Sequence, residues 1–230
     1  MYKIISLTVL VCLMGVRAFA QNKSITEAEY SQLKTKLEAI YDIDQGMRDT
    51  LVKMEKANGW NKAVSQYAGK MWMQDKQNLK KVEAIIEQYG WLPKSKVGKK
   101  AAAALFYVVQ HSNVKAMEKY LPIMKLMAKK GESFPKGVAM MEDRILTNNG
   151  KKQIYGTQVV NRNQGGAKSV YFVWPIEDVK NVNKRRKEVG FTTTIEEYAK
   201  EMEAIYDPNE PLPSPQKKKA KKTKAKKNNK

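Results

Sequence analysis

Apolar residues recur every three to four positions through the first two thirds of the chain, the spacing of one face of an α-helix. This pattern predicts five helices, at about residues 26–56, 62–88, 97–112, 114–130 and 136–147. Thr26 followed by Glu29 marks the start of the first helix. The third helix is apolar almost all round, so we expect it at the centre of the fold. Pro122 falls inside the fourth, which therefore either kinks or restarts there.

The pattern changes after residue 150. Residues 153–160 and 168–174 are rich in β-branched and aromatic side chains, and Gly165-Gly166 lies between them. This arrangement predicts a β-hairpin with a long loop. Helical spacing returns at 176–188 and 194–206, the latter opening with a capping box of Thr194 and Glu197. We therefore predict a mainly α fold, a single-domain helical bundle with one β-hairpin near residues 153–174.

The first twenty residues are typical of an export signal. Lys3 precedes an apolar run at 4–16, and Ala18-Phe19-Ala20 is a small-x-small cleavage pattern. The run is too short for a membrane anchor. We expect an exported bacterial protein, periplasmic or extracellular, with an uncleaved anchor or a lipoprotein on Cys12 as the alternatives. No later segment is apolar enough to cross a membrane, so we do not expect a transmembrane protein.

The carboxyl end of the chain is strongly basic and follows a proline-rich stretch. Residues 217–230 contain nine lysines and no acid, within a chain whose formal net charge is +20. Such a composition cannot bury apolar surface, which predicts disorder. The expected organisation is a signal peptide at 1–20, a helical domain at 21–207, and a disordered spacer and tail at 208–230.

The positive charge of Lys217–Lys230 does not identify a specific partner. This tail either contacts an anionic envelope polymer or lipid, or is a solvated extension. It has no aromatic residues to stack on bases, so we expect no specific nucleic-acid site. The basic run Lys184–Lys187 is adequately explained as a solvated helix face.

His111 is the only histidine, and this limits the chemistry of the protein. Without a cluster of histidines and cysteines, we expect no metal site and no cofactor. His111 follows Gln110 at the end of the apolar third helix. It is either a buried histidine satisfied by one partner, or an imidazole that lines a pocket as a base.

Asp143 and Arg144 are neighbours on the predicted fifth helix. Their side chains point about 100° apart, so each needs another partner. Asp143 could orient an imidazole, and Arg144 could bind a carboxylate or phosphate through two hydrogen bonds. An ion pair between helices is the alternative for each residue. Asp44 and Arg48, four positions apart on the first helix, are interpreted as a surface ion pair.

The stretch Gln153-Ile154-Tyr155-Gly156-Thr157-Gln158, here the 153–158 segment, is dense in neutral hydrogen-bonding groups. On an extended strand Gln153, Tyr155 and Thr157 would share one face, with Gly156 and Gln158 on the other. These groups suit recognition of a polar ligand, and they equally suit satisfaction of buried helix ends.

The order of the polar motifs resembles a family of uncharacterised bacterial proteins known only as a domain of unknown function. The resemblance extends over about residues 40–198, and Leu92 between Gly90-Trp91 and Pro93 departs from the family pattern. It implies membership and supplies no activity. The motifs that carry it include Asp44-Gln45-x-x-Arg48, Asp75-x-x-Asn78, Gln110-His111, Asp143-Arg144, Gln153-x-Tyr155-Gly156-Thr157-Gln158 and Arg185-Arg186-x-x-x-Gly190.

Two hypotheses about function follow from these residues. In the first, a polar-ligand or hydrolase-like pocket uses His111 as base, Asp143 as its orienting carboxylate and Arg144 as the anion contact. The residues that would position the ligand are Gln110, Gln153, Tyr155, Thr157 and Gln158. In the second, a non-catalytic protein is held at the cell envelope by its basic tail. The sequence does not decide between an enzyme and a binding protein.

Overall fold

The computed structural model describes residues 25–161 and 170–213. The predicted signal peptide at 1–20, the Gly165-Gly166 loop and the lysine run at 217–230 lie outside these ranges. Within them the chain forms seven α-helices, a short 3₁₀ helix at Val179–Asn181 and three short strands. The mainly α class with one β-hairpin is confirmed, whereas the domain boundaries at residues 20 and 207 stay a prediction. The helices are α1 (Glu27–Asn58), α2 (Lys62–Tyr89), α3 (Lys94–Gln110), α4 (Val114–Lys129), α5 (Pro135–Asn148), α6 (Val182–Glu188) and α7 (Ile195–Glu201).

The chain divides into two compact units between Leu105 and Phe106. In the first unit α1 and α2 pack against each other. The predicted start of α1 is confirmed, because Thr26 and Glu29 form a capping box. Most of its core is aliphatic, and the fully buried side chains include Leu37, Val64, Val82, Ile86 and Leu92.

In the second unit α4 packs against α5. Pro122 lies inside one helix, so α4 does not restart there. Gly137 of α5 lies directly on the ring of Phe106, and a Cβ atom at this glycine would be 2.8 Å from that ring. Further along the chain the side chains of Val173, Ile176, Val182, Ile195 and Ala199 form a separate apolar cluster.

The strands are shorter than the sequence predicted. Strand β1 (Val159–Asn161) pairs antiparallel with β2 (Tyr171–Val173), which confirms the hairpin. The 153–158 segment is not part of a strand, apart from an isolated bridge between Gln153 and Ile176. The N–H group of Gln153 donates to the carbonyl of Pro175, whereas those of Ile154, Tyr155, Thr157 and Gln158 bond to side chains.

A third strand, β3 (Ala204–Ile205), pairs in parallel with β2 and was not predicted. The helix expected at 194–206 begins with the predicted capping box of Thr194 and Glu197. It ends at Glu201, and Glu203 then takes a left-handed backbone conformation with φ at 49°. This turn allows the chain to enter the sheet. No helix in the described ranges is both long and apolar enough to cross a membrane.

Candidate functional site

The carboxylate of Asp143 binds the backbone of the 153–158 segment. Its side chain is fully buried. Oδ1 accepts hydrogen bonds from the N–H groups of Ile154 at 2.7 Å and Tyr155 at 3.0 Å. Oδ2 accepts from the N–H group of Thr157 at 3.0 Å and from its hydroxyl at 2.9 Å. These hydrogen bonds occupy both carboxylate oxygens of Asp143. Within the described residues, His111 donates no hydrogen bond to them.

Burial raises the pKa of Asp143, while the hydrogen bonds from the segment act in the opposite direction. Burial and hydrogen bonding also have opposite effects on the free energy of folding. A buried carboxylate is costly unless its lone pairs are satisfied, and here four donor groups satisfy them. Asp143 is therefore the anchor that fixes the path of the segment.

Two arginines of α6 bind the carbonyl groups of the same segment. Arg185 Nε donates to the carbonyl of Ile154, and Arg186 Nη1 donates to that of Tyr155, both at 3.0 Å. Asp143 thus holds the amide groups and the arginine pair holds the carbonyl groups. The segment is fixed from both sides without belonging to a sheet.

Arg186 is a buried cation, with 1% of its surface exposed. Its guanidinium donates to the backbone and side-chain oxygens of Thr193 at 2.9 and 3.1 Å. The rings of Phe191 and Tyr198 lie 4.7 and 5.2 Å from its central carbon, which is cation–π geometry. Burial lowers the pKa of Arg186. The interpretation of this basic run as a solvated face is therefore wrong for Arg186.

Gln153 closes the segment on itself. Its side chain is fully buried; Oε1 accepts from the N–H group of Gln158 at 2.8 Å, and Nε2 donates to the carbonyl of Gln158 at 3.1 Å. Nε2 also donates to the carbonyl of Trp174 at 2.6 Å, just after β2. The Gln153 side chain thus pairs with both backbone groups of Gln158, as a neighbouring strand would. It also connects the segment to the hairpin.

Gly156 is required by the tightness of the turn. Its φ is 73°, and a Cβ atom there would lie 2.5 Å from Ile195 and 2.9 Å from Ile176. Thr157, next along the chain, is buried, and its carbonyl accepts from the hydroxyl of Tyr198 at 2.9 Å. Burial raises the pKa of the Tyr198 hydroxyl, in keeping with a donor that stays protonated.

Arg144 and Gln158 line an open cleft of about 400 Å³. Arg144 Nε donates to Gln158 Oε1 at 3.1 Å, and Arg144 Nη1 donates to the backbone carbonyl of Gln110 at 3.2 Å. Gln158 Nε2 in turn donates to the hydroxyl of Thr157 at 3.0 Å. The guanidinium is therefore connected to the Asp143 network through two side chains. The remaining lining residues are Thr147, Asn148, Val159, Val160 and Trp174.

The structure separates the predicted site residues into groups. Arg144 and Gln158 line the cleft, whereas Asp143, Gln153 and Thr157 belong to the buried network beneath them. Tyr155 contributes its backbone to that network, and its side chain is half-buried. Burial raises the pKa of the Tyr155 hydroxyl.

Gln110 and His111 end helix α3. Gln110 is 3% exposed, and its side-chain amide makes no hydrogen bond within the described residues. The His111 ring is half-buried and stacks on Tyr107, with the ring centres 5.7 Å apart and the planes at 14°. His111 does not belong to the lining of the cleft beside Arg144. Its role as a base stays a prediction.

Five cleft residues were missed by the sequence analysis, namely Thr147, Asn148, Val159, Val160 and Trp174. The first two lie three and four positions after Arg144, one helical turn further along the same face. This spacing was a usable signal. Trp174 ends the second predicted strand, a position that does not by itself indicate a cleft.

A second polar cluster lies between α1 and α2. Arg48 bonds Asp44 at 3.1 Å and both carboxylate oxygens of Asp75 at 3.0 Å. Asp44 is 1% exposed, so the interpretation of Asp44 and Arg48 as a surface pair is wrong. Asn78, one turn after Asp75, is also buried, and its Nδ2 has no partner in the described chain. The cluster connects the two helices.

These features define a mainly α protein with an arginine-lined cleft supported by a buried polar network. The DUF6624 family, described as a family of unknown function, matches residues 31–209. The chain belongs to this family, which confirms the membership expected from its motifs. No curated protein and no solved structure matches the chain.

Proposed function

We propose that the protein binds a small anionic ligand in the cleft beside Arg144. The observation that carries this proposal is the placement of that guanidinium at a cleft of about 400 Å³, a size common among small-molecule sites. Arg144 donates to two neutral oxygens at the cleft, Gln158 Oε1 and the Gln110 carbonyl. A carboxylate or phosphate would make a stronger, charge-assisted bond with the same group.

The buried network supports this proposal because it orients the cleft before a ligand arrives. Asp143 fixes the backbone of Thr157, the Thr157 hydroxyl accepts from Gln158, and Gln158 accepts from Arg144. A side chain held in this way loses little conformational entropy on binding. Removing the anchor is therefore expected to weaken binding without touching the cleft directly.

A binding role has more support than a hydrolase role. A hydrolase using His111 as base would need a group to orient its imidazole, and Asp143 was the candidate. The Asp143 oxygens accept from the backbone and hydroxyl of the 153–158 segment instead. The hydrolase hypothesis retains a simple test, since His111→Ala would abolish turnover of its substrate while the melting temperature stayed near that of the wild type.

The test of anion binding is a thermal-shift screen with acetate, benzoate, glucuronate and phosphate at constant ionic strength. At least one anion is expected to raise the melting temperature of the wild type and to have no effect on Arg144→Gln. Lys180→Gln is the matched control, because it removes the same charge from an exposed position in the same unit. Equal responses of Arg144→Gln and Lys180→Gln would show nonspecific charge screening and overturn the proposal.

Export and envelope association form the second part of the proposal. The signal-like residues 1–20 support export, and the lysine-rich tail supports envelope association. Nine lysines in residues 217–230 suit attraction to an anionic envelope polymer or lipid. Retention on phosphatidylglycerol vesicles is expected to fall with salt and to be lost when residues 217–230 are deleted. A control that replaces these lysines with glutamine separates charge from length. Retention on the vesicles that is unchanged by the deletion and by the glutamine replacements would contradict envelope association through the tail.

A further inference from the structure

We propose that the ligand of the Arg144 cleft is a sugar acid, meaning a pyranose ring that carries a carboxylate, such as a hexuronate. This inference rests on the proposed anion site and adds the chemical class of its ligand. Three kinds of group line the cleft: a cation, an aromatic and aliphatic wall, and side-chain oxygens that accept hydrogen bonds. A sugar acid is a ligand that offers a partner to each.

The Arg144 guanidinium would bind the carboxylate of the ligand. Arg144 is held at Nε and Nη1 by the Gln158 side chain and the Gln110 carbonyl. This fixes the plane of the guanidinium, and a planar group of fixed orientation suits the planar carboxylate of a sugar acid. A neutral hexose lacks the charge for this contact and is expected to bind more weakly.

The apolar wall consists of Trp174, Val159 and Val160. The indole Nε1–H of Trp174 donates to the carbonyl of Lys151 at 2.8 Å, so the polar edge of the ring is already satisfied. The indole can therefore contact a ligand through its apolar surface. One face of a pyranose ring carries mainly C–H groups, and such a face packs on an aromatic surface.

The hydrogen-bond acceptors distinguish a sugar acid from a flat aromatic acid. Asn148 Nδ2 and Thr147 Oγ1 both donate to the carbonyl of Arg144, at 2.7 and 3.2 Å. Asn148 therefore has Oδ1 to offer, and Thr147 has the lone pairs of its hydroxyl. Both can accept a hydrogen bond from a ligand in the cleft. The hydroxyl groups of a sugar supply donors, whereas benzoate supplies none.

Isothermal titration of the full-length protein with glucuronate, galacturonate, glucose, benzoate and phenylalanine tests the class. We expect a hexuronate to bind at least tenfold more tightly than glucose, which lacks the carboxylate, and than benzoate, which lacks the hydroxyl groups. Phenylalanine has a carboxylate and an ammonium donor without the sugar ring. Tighter binding of benzoate or phenylalanine than of either hexuronate would overturn the sugar-acid class and leave the anion site standing.

Asn148→Ala provides the second measurement. Loss of one acceptor is expected to weaken hexuronate binding about 3- to 10-fold, the effect of one hydrogen bond, while benzoate affinity stays within twofold of wild type. Asn148 is exposed, so the variant is expected to fold, and its melting temperature checks this. An equal loss for both ligands would overturn the sugar-acid inference. No binding of any acid to the wild type would instead mean failure of the proposed function itself.

Discussion

The Arg144 guanidinium donates to the side-chain oxygen of Gln158 across 3.1 Å, which joins helix α5 to the 153–158 segment. Asp143, the preceding residue of α5, bonds the same segment through its carboxylate. The side chains of Asp143 and Arg144, adjacent on α5, thus contact different parts of the 153–158 segment. Asp143 anchors the segment in the interior, and Arg144 reaches the cleft.

Asp143→Asn tests the anchor. The amide would turn one acceptor into a donor that faces backbone N–H groups, so buried donors would lose their partner. We expect the free energy of unfolding to fall by about 2–4 kcal/mol, measured by urea denaturation. The control is Asp49→Asn on the exposed surface of α1, where a change within about 0.5 kcal/mol is expected. Equal effects of the two substitutions would contradict the anchoring role.

Gly156→Ala tests the tightness of the segment. A methyl group there would clash with Ile195 and Ile176, and the residue would keep a positive φ. We expect a loss of about 2–4 kcal/mol in unfolding free energy. Gly46→Ala is the matched control, since that glycine lies inside α1 with open space around it. It should stabilise the protein by up to about 1 kcal/mol, and a neutral Gly156→Ala would show that the turn has room.

Tyr198 gives the stability a dependence on alkaline pH. Its hydroxyl donates to the Thr157 carbonyl, and burial raises its pKa in the folded state. Above about pH 10 the unfolded chain loses this proton while the folded chain keeps it, so stability falls as pH rises. Tyr198→Phe should be less stable than wild type at pH 8 by about 1 kcal/mol.

The difference between Tyr198→Phe and wild type should narrow as the pH rises above about 10. Urea denaturation from pH 8 to 11 measures it, and ultraviolet absorbance follows tyrosine ionisation directly. Tyr171→Phe, at an exposed position of β2, controls for general alkaline effects. A difference between Tyr198→Phe and wild type that does not change with pH would contradict the raised pKa of this hydroxyl.

The helices could be predicted from the sequence because their signals are local. Apolar spacing places α1 and α2 within a few residues of their observed ends, and the capping boxes at Thr26 and Thr194 form as expected. Helix α7 was predicted too long. The reversal at Glu203 requires a positive φ, and no glycine marks it in the sequence.

The 153–158 segment could not be assigned correctly from its own residues. Alternating polar groups predict a strand, but the Asp143 side chain bonds three of its N–H groups and the Gln153 side chain bonds a fourth. The first of these lies ten or more positions away, on another element. For the same reason the burial of Arg186 was not visible, because it depends on Phe191 and Tyr198 folding back onto α6.

The polar residues that the sequence analysis grouped as a candidate site divide between a cleft and a buried network. Arg144 and Gln158 reach an open cleft, as a ligand contact requires, and Asp143 with Gln153 forms the support beneath it. Sequence reasoning treated all these polar residues as one group. It could not tell which of them face solvent, because that depends on the path of the backbone rather than on residue type.

An NMR titration followed at the tryptophan indole N–H signals tests the central claim most directly. The chain has four tryptophans, and of these Trp174 lines the cleft, while Trp60 and Trp72 are 62% and 58% exposed on the first unit. With glucuronate, benzoate or phosphate added separately, we expect the Trp174 signal to shift and saturate for at least one anion. The signals of Trp60 and Trp72 should stay in place, and Arg144→Gln should abolish the Trp174 shift. A Trp174 signal that ignores every anion, or that shifts equally in Arg144→Gln, would contradict an anion site in this cleft.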